Sequence, residues 1–317
     1  MPVVLGIDAA WTAARPSGVA LTAKKPTGWH LIAVAPSYCY FISLSRQRCK
    51  VHLSRSGEDV AAHCMAGEGV PPTVDSALAK YSPVVPARPS GSLPEVAPLL
   101  AAASSLCGDA VDLVAADIPL ARSPIVGRRY SDNQVSRAYG SRKCGAYTPS
   151  IVRPGALSDV LTKDFARAGY PLLTQAITPP GVIEVYPHPA LVELSGARER
   201  LPYKASKVGR YWPSATPLER RGRLFQQWHE IAVLLEGEIA GVTAALPQLG
   251  SDARGVEMKA HEDMLDAIIC AWVGICALDG RAMPYGDDDA AIWVPKLMAA
   301  RAVRQIVTVR GSARLPC

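Results

Sequence analysis

The chain lacks the cysteine spacing of a zinc or disulfide protein. Its eight cysteines include no CxxC pair, and no histidine cluster stands at zinc-ligand spacing. Scattered, unpaired thiols fit a reducing cytoplasm, and Cys270 and Cys276 fall inside an apolar helical pattern as small hydrophobes. No apolar run reaches about 18 residues, and no basic region precedes the first strand. Both observations argue against a membrane span and a signal peptide. Nothing repeats at a solenoid period. Charged residues make up only 20% of the 317 positions against 49% apolar ones. That balance excludes a disordered polymer and allows a sizeable core within one domain spanning 1–317. The net charge of +6 permits a polyanionic partner without requiring one.

Local patterns are those of an α/β chain. Val3–Asp8, Gly18–Ala23 and Trp29–Ala35 read as three strands joined by turns, Arg15-Pro16-Ser17-Gly18 and Lys25-Pro26-Thr27-Gly28. Connections this short imply antiparallel neighbours. Leu93–Leu106 carries a helical apolar pattern, Val111–Pro119 reads as a buried strand, and Val182–Tyr186 as another. Leu218–Ala245 is long enough for one helix, and Glu257–Leu278 forms a second with an apolar face. Two stretches, about 36–92 and 120–180, read as long insertions in one domain with a mixed central sheet flanked by helices.

The chemistry lies in acids placed where a soluble protein should least favour them. Asp8 and Asp117 each end a buried strand, where open α/β sheets build their sites. Asp263 and Asp266 share one helix face, with Asp266 bordering the apolar stripe of Leu265, Ile268, Ile269 and Trp272. Capping and macrodipole roles explain such acids singly, but their combination is harder to dismiss. Converging carboxylates repel one another unless divalent cations neutralise them. Strand-end acids with a helical acid pair suit two metal ions, Mg²⁺ or Mn²⁺, held for phosphodiester chemistry. Asp266→Asn is then expected to remove activity with little loss of stability, because its charge only adds repulsion without metal.

The ordered motifs GIDAAWT, PSGVAL, AADIPL, EVYPHPAL and DMLDAIICAW cover most of residues 3 to about 295. Together they resemble the domain-of-unknown-function 429 family of predicted RNase H-like nucleases. The last motif also resembles the final catalytic helix of Holliday-junction resolvases. The resemblance implies an RNase H-like fold with Asp8, Asp117, Asp263 and Asp266 as metal ligands and catalytic acids. Glu184 is open between a further ligand or substrate contact and a glutamate paired with an arginine. His188 reads as a turn residue.

Between Ile118 and Ser158 there are seven basic residues and one acid, Asp132, so this segment nets 7 − 1 = +6. Arg128, Arg129 and Arg137, interleaved with Tyr130, Tyr139 and Tyr147, suit contacts to phosphates and bases of DNA or RNA. The alternative is a solvated loop, or arginines that neutralise the protein's own carboxylates. The function expected is therefore metal-dependent hydrolysis of nucleic acid. An ATP-dependent phosphotransferase of the sugar-kinase and actin type is demoted, because Ala9-Ala10-Trp11-Thr12 follows Asp8 where that class wants a glycine-rich turn. A non-catalytic nucleic-acid-binding module is the third reading.

Overall fold

The computed structural model describes residues 1–46 and 89–296, so most of the expected 36–92 insertion lies outside the described residues. Seven strands form one sheet: β1 (Val3–Asp8), β2 (Gly18–Lys25), β3 (Gly28–Ala35), β4 (Leu113–Ala116), β5 (Gly181–Val185), β6 (Ala282–Gly286) and β7 (Ala291–Pro295). Their order is β3-β2-β1-β4-β5-β7-β6. β1 to β3 form an antiparallel meander, β4 and β5 run parallel to β1, and the β6–β7 hairpin closes the far edge. The two-residue β2–β3 turn requires Gly28, whose φ is +125°.

The side-chain alternation of the strands divides the core in two. Val3, Leu5 and Ile7 of β1, with Val114 and Ala116 of β4, face one cluster. Against it lie helix α1 (residues 38–46), α2 (Val96–Cys107) and α4 (Ala156–Arg167). Val4 of β1 and Leu113 and Ala115 of β4 face the other cluster, under α5 (Pro187–Ser195), α6 (Pro217–Glu236) and α7 (Gly255–Leu278). By the same parity Asp8 and Asp117 belong to the α7 face, while Glu184 shares the opposite face with Val182.

Helix α7 is the central pillar. It is buried without a break from Ala260 to Ala277, so it is a core helix with no solvent face over that stretch. Three glycines let it lie flush on the sheet. A Cβ on Gly6 would overlap the Ala267 carbonyl, one on Gly18 the Asp263 carbonyl, and one on Gly274 would stand 2.6 Å from Val4 Cγ1. Gly18 is the cross-strand partner of Asp8, so this close approach sets Asp263 beside Asp8.

Several elements differ from the sequence expectation. The 120–180 stretch contains α3 (Tyr130–Tyr139) and α4, and α4 completes a helix layer through Leu161 and Phe165. That i,i+4 apolar pair was hidden by surrounding charge and turn residues. The expected helix over 218–245 breaks after Glu236 and resumes as one turn at Val242–Ala245, since Gly237 and Gly241 interrupt it. Pro187 opens α5 in its first turn, so His188, expected in a turn, lies in a helix. Among the described residues no helix is long and apolar enough to cross a membrane.

Candidate active site

Two parallel neighbours, β1 and β4, bring the strand-end acids together. The Asp117 N–H donates to the Ile7 carbonyl at 2.8 Å, which fixes Asp117 beside Asp8. As residues Asp8 and Asp117 are half-buried, whereas Asp263 and Asp266, supplied by α7, are buried. The four expected acids therefore converge at the carboxyl ends of β1 and β4, with the strand-end pair the less buried.

Their electrostatics record the crowding. Burial, and then the Asp263 charge, push the Asp8 carboxyl up to about 7. Burial and then the Asp8 charge hold Asp117 well above the usual carboxylate range. Asp263 and Asp266 are each raised to about 6 by burial, against the opposing pull of Lys259 and Lys204 respectively. Desolvation outweighs pairing throughout this group.

Three charged residues outside the expected set complete the cluster. Lys204 donates to Asp266 and stands 3.6 Å from Glu262. Lys259 donates to Asp263 and, at 3.0 Å, to Glu262. The Tyr203 hydroxyl donates to Asp266 at 2.8 Å, and the Ala205 N–H donates to Glu262 at 2.6 Å. Burial opposes the Lys204 charge, but Asp266 and its neighbours outweigh it and hold the ammonium well above its usual range. Lys259 carried a signal in the sequence, four positions before Asp263 on one helix. Lys204 carried none, because its partner lies 62 positions away. These lysines change what Asp266 does without metal: its charge is paired, not only repelled.

Glu184 lies on the opposite face of the sheet, although its charge still helps to raise Asp117. Arg129 reaches its two oxygens at 2.6 and 2.7 Å, and the Leu120 N–H adds a bond at 2.7 Å. The same guanidinium binds Asp132 at 2.8 Å and the Leu120 carbonyl at 2.8 Å. Arg129 is thus turned inward, with its side chain 8% exposed, and is not free to meet a phosphate. Arg128 lies at the surface, but its donors meet Asn133, Thr148, Ser136 and the Ala146 and Asp132 carbonyls. Arg137 is exposed on α3. His188 is buried at the start of α5, edge-on to Tyr186 and Tyr203, and burial lowers its pKa well below the ordinary value.

Arg129→Met should accordingly destabilise the fold by about 3–5 kcal/mol, since it strands two buried carboxylates. Urea unfolding measures this. The lower midpoint should be partly restored by adding Glu184→Gln, and an unchanged midpoint would contradict the tie.

The carboxyls form an all-oxygen set suited to a hard divalent cation. Asp263 Oδ2 supports that fit, being buried with no hydrogen-bond partner. Among the described residues, no three His, Cys, Asp or Glu side chains stand together as a ready cage, and the two ammoniums fill the acidic space instead. No curated protein and no solved structure matches the chain. The family model described as protein of unknown function (DUF429) matches residues 6–290, which hold every acid of the cluster, and the chain belongs to that family.

Proposed function

We propose that this chain is a metal-dependent nuclease of the RNase H-like type, hydrolysing phosphodiester bonds in nucleic acid. One observation carries the reading. Four carboxyls from two parallel strand ends and one core helix converge, and their mutual charge and burial raise each above its ordinary pKa. Such an arrangement opposes stability, as functional sites commonly do. The strand order β3-β2-β1-β4-β5, with β2 reversed, also supports the RNase H-like type.

Asp8, Asp117, Asp263 and Asp266 would hold Mg²⁺ or Mn²⁺. When bound, such ions activate a water and stabilise charge on the leaving oxygen. Asp8 and Asp117 are the less buried pair and so meet the substrate end of the site. Asp266 is held in place by Tyr203 and Lys204, and Glu262 positions both lysines. The ammoniums pre-balance the acids, which keeps the cluster folded without metal.

The test is a panel of linear and branched DNA and RNA incubated with Mn²⁺, with Mg²⁺ and with EDTA. Cleavage should require the divalent ion, and millimolar Mn²⁺ should raise the melting temperature. If Mn²⁺ neither stabilises the protein nor supports cleavage of any substrate, the cluster is a lysine-paired structural core and the proposal fails.

A further inference from the structure

The segment from Tyr147 to Arg153 is fastened at both ends, each time to a residue three positions from the acidic cluster. At one end the Lys207 ammonium donates to the Tyr147 hydroxyl at 3.0 Å and stands 5.8 Å from its ring. Lys207 follows Lys204 by one turn of chain. At the other end the Arg153 guanidinium stands 5.7 Å from the ring of Trp11, three residues after Asp8. Between these anchors the chain folds into a tight turn. Ser150 N–H donates to the Arg153 carbonyl at 2.7 Å, and Arg153 N–H to the Ser150 carbonyl at 3.1 Å.

The tip of this turn is Ile151 and Val152, 68% and 90% exposed. Single exposed apolar residues are ordinary on any protein. Two in succession, on a turn fastened at both ends by cation–ring pairs whose partners lie three residues along the chain from Asp8 and Lys204, call for an occupant. The flanking groups identify its chemistry. Lys207 and Arg153 offer positive charge, while Tyr147 and Trp11 offer rings on which bases can stack. Apolar side chains between such groups are the means by which proteins enter and part a base step.

On the nucleic-acid reading of the site, we infer that Ile151 and Val152 form a wedge that enters DNA or RNA at an unstacked step. The substrate class is then nucleic acid with an unpaired or branched position, not continuous duplex. The rigid turn supplies the wedge, the rings cover the exposed bases, and the cations hold the flanking phosphates.

The experiment uses the full chain in EDTA, which prevents cleavage. It measures binding by anisotropy to a continuous duplex and to the same duplex with a central bulge, each carrying 2-aminopurine beside the centre. Wild type should prefer the bulged form by about ten-fold and raise 2-aminopurine emission on it. The double variant Ile151→Ser and Val152→Ser should lose the preference and the emission rise, while duplex affinity and its salt slope stay unchanged, because no charge is removed. Val152→Trp should retain both. A wild type with no preference, or a serine variant that keeps it, overturns the wedge. So does a serine variant whose only change is a smaller oligomer by light scattering, which would make the tip a contact between copies. A wild type that binds neither probe overturns the nucleic-acid reading itself, and the wedge with it.

Discussion

Asp8→Asn should melt higher than wild type in metal-free buffer at pH 8 and, on the nuclease reading, lose Mn²⁺-dependent cleavage by about two orders of magnitude or more. The two effects have one origin. Asp8 keeps its proton in the folded protein up to about pH 7, against 3.8 for an ordinary aspartate. A folded-state pKa that is raised makes ionisation costly. Stability therefore falls as pH rises from about 4 through 7, and the cost is fully present above 7. Asparagine imitates the protonated carboxyl and escapes it. Asp8 is half-buried, and Lys204 and Lys259 favour its charge, which moderates the gain. Roughly 1–2 kcal/mol at pH 8 is expected, vanishing near pH 4. Thermal melts from pH 4 to 8 with EDTA measure the difference, and Mn²⁺ should reverse it by stabilising only the wild type. A variant less stable than wild type at pH 8 would show that the Asp8 charge is paired, contrary to the arrangement described.

Asp266→Asn should lose cleavage with little change in stability, as the sequence expectation has it. Asp266 accepts from Lys204 and from the Tyr203 hydroxyl, fully buried. Burial nevertheless raises its carboxyl to about 6, so at pH 8 the neutral amide escapes that cost while it gives up the Lys204 pair, and the two changes oppose each other. Lys204→Met has the larger effect, because Asp266 and Glu262 then lose their shared cation. Removing one partner of a buried pair costs about 3–5 kcal/mol, and the lower end applies here because the Lys204 side chain is 18% exposed and Glu262 retains Lys259. Urea midpoints should drop accordingly, and adding Asp266→Asn should recover part of the loss, with a coupling of about 1–3 kcal/mol across the cycle. Additive effects would mean the pair contributes nothing to stability.

The comparison of these two aspartates shows how far the chain could be read. Asp8 and Asp117 were legible because a charge ending a buried strand breaks a short, strong pattern, and parity alone assigns both to the α7 face. The i,i+3 spacing of Asp263 and Asp266 was equally local. Lys204 was not legible, since it lies in an irregular loop and meets its partner only through the fold. A pairing of Glu184 with an arginine was one of two open readings, but that the arginine is Arg129, 55 positions away, is seen only in the fold. Charge along the 118–158 segment suggested an outward basic face, yet burial turned one of its arginines into an internal tie. The β6–β7 hairpin also went unseen, being a short alternating run around an acidic turn.

Gly18 carries a consequence that reaches beyond this chain. The gap between Asp8 and Asp263 is set by an atom that is missing, for a methyl group at position 18 would collide with the backbone carrying Asp263. A related chain could retain all four aspartates and still carry alanine there. It would possess every reactive group and hold them at the wrong separation. Inventories of acidic residues would count such a chain as intact, and only its smallest side chain would reveal that it had gone silent.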